Sequence, residues 1–121
     1  MKYSKRIKGV DVLLERLPEK YHHWCDFGRI IELHFDYEKY SEFIPCIRLV
    51  LTDYDNIYRI GMTLFNVSGE VNFNITNGFY SGLEITDYHN SGCKNNFLLS
   101  SFEQDIDFHI YCESIEVELL D

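Results

Sequence analysis

The chemistry open to this chain lies in its histidines, cysteines and carboxylates, and their spacing narrows it quickly. His22-His23-Trp24-Cys25-Asp26 is the only cluster of metal-ligand residue types. Zinc sites combine two spaced ligand pairs, and no second pair follows at a recognisable interval, so the segment reads as a junction anchored by a buried Trp24. No metal and no other cofactor is expected. His34 and His109 occupy polar positions in strand-like runs, each near acids (Glu32 and Asp36; Asp107). They would serve as an acid–base pair only if their strands were neighbours. No nucleophile motif, phosphate-cradling glycine loop or dinucleotide fingerprint is present. The residues point to binding, and no enzyme is expected.

The carboxylates are the better lead. Asp105 and Asp107 share one strand face with His109, Glu116 and Glu118 share another, and Glu103 lies beside the preceding turn. If those strands adjoin, the acids form a negative field on the solvent side of a sheet. Like charges on neighbouring strands cost stability, and a partner's Lys or Arg side chains would offset that repulsion. The candidate partner-binding set is therefore Glu103, Asp105, Asp107, Glu116 and Glu118, with Glu70 at the periphery. The competing reading is a solvated sheet face that resists aggregation. Tyr54, Tyr58, Tyr80 and Tyr88, in or near turns, offer a second contact surface, since Tyr buries area at low rotamer cost.

Charge is uneven along the 121 residues. The first twenty carry six bases (Lys2, Lys5, Arg6, Lys8, Arg16, Lys20) against three acids (Asp11, Glu15, Glu19), a net of +3 within a total of −9, so the rest carries −12. Such a body repels nucleic acid and anionic membrane surfaces and attracts a basic partner. No signal-peptide pattern and no membrane-spanning apolar run occurs, so a cytoplasmic chain is expected. Cys25, Cys46, Cys93 and Cys112 are widely spaced and read as four reduced thiols.

At 45% hydrophobic residues and only two prolines, the chain suits one domain over 1–121, with a basic segment at 1–20 and a β domain over 24–119. Val10, Leu13, Leu14 and Leu17 recur at helical spacing and stop at Pro18, which predicts one short N-terminal helix. Beyond Trp24 the period becomes two. Ile31, Leu33 and Phe35 alternate with polar residues, and 45–65 reads as a hairpin turning at Asp53-Tyr54-Asp55-Asn56. Ser68-Gly69 is expected to turn the chain into a strand through Val71, Phe73 and Ile75. Asn77-Gly78 signals another hairpin. Residues 97–102 read as a strand, and 105–119 as one bulged strand or two. Ile106, Phe108, Ile110 and Cys112 have one parity and Ile115, Val117 and Leu119 the other, so a bulge or tight turn is required at Glu113-Ser114. The prediction is a mainly-β antiparallel meander forming a sandwich or open barrel, with Trp24, Phe35, Leu49, Leu64, Phe73, Ile85, Phe108 and Val117 in its core.

Three stretches carry a family resemblance: Trp24 to Ile31, Met62 to Ser68, and Gly82-Leu83-Glu84-Ile85 through Phe108 to Val117. The first looks like an opening of the form W-x-x-F-H-D-A-E/I, the second like a strand reading L-x-F-x-x-V, and the third like a pair of closing strands. Together they resemble small immunity proteins encoded beside bacterial polymorphic toxins. Where that family has His-Asp after Phe, this chain has Gly28-Arg29, so no role of that pair carries over. The resemblance implies a mainly-β intracellular protein that binds and neutralises a toxin domain, and such toxins are often basic nucleases. The rival expectation is a small-ligand-binding or regulatory β-domain of a larger assembly.

Overall fold

The computed structural model describes residues 4–37, 44–72, 83–88, 96–101 and 108–120, and of Glu70 and Asn72 the backbone alone. The helical stripe becomes α1 (Val10–Arg16), with Val10 and Leu13 buried and the chain leaving the helix at Leu17 before Pro18. Two short 3-10 turns follow, at Glu19–Tyr21 and Trp24–Phe27, and they bury Tyr21, Trp24 and Phe27.

The strands are β1 (Arg29–Tyr37), β2 (Pro45–Thr52), β3 (Arg59–Phe65), β4 (Ser68–Asn72), β5 (Leu83–Asp87), β6 (Phe97–Ser101), β7 (His109–Cys112) and β8 (Ser114–Leu120). They form two antiparallel sheets, ordered β1-β2-β3-β8 and β4-β7-β6-β5. The fold is mainly β, as the alternation predicts. Within it, β3–β4 and β7–β8 are two long antiparallel runs, each bent at one corner so that its halves belong to different sheets.

Those corners explain the parity switch between Cys112 and Ile115. Leaving one sheet for the other at Glu113 rotates the chain, so Ile110 and Cys112 before the corner and Ile115 and Val117 after it all face the core. Glu113 stitches the two corners together. Its N–H donates to the Phe65 carbonyl (3.0 Å), its carboxylate accepts from Asn66 Nδ2 (2.6 Å), and its carbonyl accepts from Asn96 Nδ2 (3.3 Å). On the other run the bend falls at Asn66, whose φ of 51° is left-handed. Ser68-Gly69, expected as the turn, already lies in β4, where pairing with β7 shifts register between Ser68 and Asn72. Asn tolerates the left-handed region and so competes with Gly for the bend.

The β2–β3 hairpin follows the expected turn chemistry. Asp53 is 1% exposed, and its Oδ1 accepts from the Ile57 N–H (2.8 Å) and the Tyr58 N–H (2.7 Å), while Oδ2 accepts from the Asp55 N–H (3.2 Å). Thr52 Oγ1 donates to the Tyr58 carbonyl at 2.9 Å. One carboxylate thus replaces the ladder bonds that the loop backbone cannot make.

Trp24, Leu49, Leu64, Phe108 and Val117 are buried, and Ile85 packs half-buried against them. Phe73 and the Asn77-Gly78 turn lie outside the described residues. Phe35 corrects the expectation: it is 60% exposed. Its parity is inward, opposite Ile47, but β1 is the edge strand of its sheet. Inward-facing side chains there stand at the rim of the core, where alternation alone does not bring burial.

Candidate interaction face

The outer face of the β1-β2-β3-β8 sheet carries a constellation of charged side chains. Register places them in rows. His34, Arg48, Thr63 and Glu116 stand side by side across the four strands, and Glu32, Val50, Gly61 and Glu118 form the next row. A trough of about 660 Å³ runs over these rows and also touches Lys8, Cys46 and Leu120. Gly61 keeps its floor low, since Glu118 Cγ lies 3.4 Å from where a Gly61 Cβ would stand.

Lys8 reaches this face because the N-terminal segment lies along β8. The Lys8 N–H donates to the Ile115 carbonyl (2.9 Å), and the Val117 N–H donates to the Lys8 carbonyl (2.8 Å). Gly9 makes that approach possible. Its φ is +89°, and a Cβ there would run into the Val117 carbonyl oxygen. Lys8 Nζ then pairs with Glu116 Oε1 at 2.9 Å. Arg6, from the same basic segment, pairs with Asp87 of the other sheet and lies over the Phe97 ring (5.1 Å), while Ser4 Oγ donates to Asp87 Oδ2 (2.6 Å). Arg6 and Lys8 of the basic N-terminus are thus laid against acids of the two sheets.

Of the expected contact set, Glu116 and Glu118 come together on this face, Glu118 exposed and Glu116 half-buried. The backbone of Glu70 belongs to β4 in the other sheet. Glu103, Asp105 and Asp107 lie outside the described residues. Among the described residues, β7 and β8 part at the Glu113 corner, and β8 takes β3 as its neighbour. Glu116 and Glu118 therefore sit among groups the acid pattern did not include. Four carboxylates (Glu32, Asp36, Glu116, Glu118) share the outer side with Arg29, Arg48, Arg59 and Lys8. This face is mixed in sign. Arg48 was legible as outward from the alternation of 45–52. Lys8 was not, because no local pattern reports a strap laid on β8.

His34 and His109 fall in different sheets, on β1 and β7. His34 Nε2 is 3.5 Å from Glu32 Oε1, and His109 stacks edge-on with Tyr111. In the His22–Asp26 segment, His22 Nε2 lies 2.9 Å from the Leu17 carbonyl, and His23 Nδ1 lies 3.7 Å from Asp26 Oδ2. Among the described residues no three His, Cys, Asp or Glu side chains are grouped as a metal ion would need. Cys25, Cys46 and Cys112 are not joined in disulfides. Burial pushes the Cys112 thiol up to about 12, and burial, followed by the Asp26 charge, raises that of Cys25. Of the turn tyrosines, Tyr54 donates its hydroxyl to the Cys25 carbonyl (3.1 Å), Tyr58 stacks edge-on with Tyr21, Tyr88 is exposed and Tyr80 lies outside the described residues. No described helix is long and apolar enough to cross a membrane.

Comparison of the chain with models of protein families, with curated proteins and with solved structures found no match.

Proposed function

We propose that the protein is an immunity protein, which binds a cognate basic toxin domain in the cytoplasm and neutralises it by contact rather than catalysis. The observation that carries this reading is the open outer face of the β1-β2-β3-β8 sheet. It is a trough lined by Glu32, Glu116 and Glu118 together with Lys8 and Arg48, on a chain of net charge −9. A negative protein draws a basic partner at long range, and the placed charges then fix register. Glu103, Asp105, Asp107, Glu116, Glu118 and Glu70 are the proposed contact carboxylates, and Arg48 is the group that would meet an acid of the partner. The resemblance in the Trp24, Met62 and Phe108 stretches supports the same role.

The test is co-expression with the product of the adjacent upstream gene. That product should arrest growth alone and be harmless beside this chain. If it is harmless alone, or if its toxicity persists in the presence of this chain, the proposal is wrong.

A second reading draws on the trough itself, whose volume of about 660 Å³ falls in the range of small-ligand sites. Under that reading a small amphoteric ligand raises the melting temperature of the isolated chain, and no protein partner is needed.

A further inference from the structure

The two edges of the β1-β2-β3-β8 sheet are finished differently. On β8 the free edge is covered by the N-terminal strap, through the Lys8–Ile115 and Val117–Lys8 backbone bonds. On β1 no described residue pairs with the outer edge, although the strand is nine residues long. A bulge interrupts its pairing with β2 between Ile30 and Glu32, and from Glu32 to Tyr37 the strand is regular. Beyond that bulge the stretch has no Lys, Pro or Gly and no inward-pointing charge, and its two carboxylates, Glu32 and Asp36, stand on the outward side. Its inward side instead presents Leu33 (37% exposed), Phe35 (60%) and Tyr37 (52%), the last two stacked edge-on.

The outward side carries carboxylates on either side of an imidazole, which can hydrogen-bond to a carboxylate. Glu32, His34 and Asp36 alternate along β1, so an antiparallel second copy meets them in reverse order. Centring the pair on Glu32 sets Glu32 against itself, and centring on His34 sets Glu32 against Asp36. Both arrangements oppose like charges, which disfavours them. Centring on Leu33 places each His34 opposite Glu32 of the other copy, and centring on Phe35 places it opposite Asp36. In both registers Leu33 and Phe35 meet apolar residues across the seam, and the Leu33 register is the one that sets no carboxylate against another.

We infer that β1 is a homodimer seam. Two copies pair antiparallel along it about a two-fold axis, with His34 of each facing a carboxylate of the other, and join their sheets into one of eight strands. The seam is isologous, as a two-fold dimer requires. It places two copies of the trough side by side on one continuous face. The inference stands apart from the proposed toxin-binding role, which neither requires nor excludes it.

Sedimentation equilibrium of the full chain, from micromolar to millimolar concentration, reads the assembly state. Hydrogen exchange at both ends of that range reads the seam. The expected result is a reversible dimer whose β1 amides become protected as concentration rises. The double variant Leu33→Lys, Phe35→Lys alters two exposed side chains, so it should keep its unfolding transition and lose the dimer. Replacing His34 alone, as His34→Glu, should weaken association by setting carboxylates against each other, and adding Glu32→Lys and Asp36→Lys should restore it. A chain that stays monomeric throughout overturns the inference, as does a dimer whose β1 exchange is independent of concentration or one that survives the double variant.

Discussion

Removing the Asp53 carboxylate should unfasten the β2–β3 hairpin, at a cost that follows from its bonds. Asp53 is 1% exposed and receives three backbone N–H groups, two of them at 2.8 Å or less. A hydrogen bond to a charged group contributes about 1.5–3 kcal/mol, and a donor left buried without its acceptor costs about 1–3 kcal/mol. Ile57 is exposed and Tyr58 half-buried, so water can recover part of the loss. Asp53→Ala should therefore destabilise the fold by about 3 kcal/mol, towards the upper end of what single substitutions do. Asp53→Asn keeps one carbonyl oxygen for Ile57 and Tyr58 but sets an NH₂ against the Asp55 N–H, and should cost about 1 kcal/mol. Asp55→Ala, on an exposed side chain two positions beyond the turn's first residue, should stay within about 0.5 kcal/mol. Urea unfolding followed by Trp24 fluorescence measures all three. Equal losses for the Ala and Asn variants, or an Asp53→Ala loss no larger than that of Asp55→Ala, would refute the account of this turn.

Further outcomes follow from other parts of the fold. Gly9→Ala should cost about 2–4 kcal/mol, combining a left-handed φ with displacement of the strap's two backbone bonds, as read by the same unfolding assay. Phe108→Ala, at a side chain 2% exposed, should cost about 3–5 kcal/mol. Cys112 should resist alkylation at pH 8 while the chain is folded and react once urea unfolds it, whereas the half-exposed Cys25 should react slowly in the folded chain; mass spectrometry of the labelled peptides distinguishes them. Because the folded Cys112 thiol lies near 12 and an unfolded one near 9, its contribution to stability is intact below about pH 9 and declines between about pH 9 and 12. Cys112→Ala should flatten that alkaline decline, and an unchanged profile would place its cause elsewhere.

The sequence was most informative where a single residue decides local geometry. The stripe ending at Pro18, the Asp53 turn and the opposed parities on either side of Glu113 each demand one local structure, and each has it. It was least informative where the answer depends on what lies across space. Nothing local distinguishes an edge strand from a central one, so Phe35 carries the alternation of a buried residue while standing in the open. The same blindness applies to the interaction face. The outward parity of Glu116 and Glu118 was readable, but not that β8 would leave β7 for β3 and bring them beside Gly61 and Thr63. Lys8 joins the face only because Gly9 lets the N-terminal segment lie along β8, a long-range contact that no periodicity encodes.

Toxin binding through the proposed carboxylates is tested most directly by calorimetric titration of the purified chain with the adjacent upstream gene's product, in an inactive form. The parent is compared with two double reversals, Asp105→Lys with Asp107→Lys and Glu116→Lys with Glu118→Lys, at low and high salt. The account predicts one-to-one binding by the parent that weakens with salt. It predicts a loss of at least about 2 kcal/mol of binding energy for a pair that meets partner cations in the interface, with the fold's unfolding transition retained. Absence of binding by the parent, or full-strength binding by both reversed proteins, would contradict it.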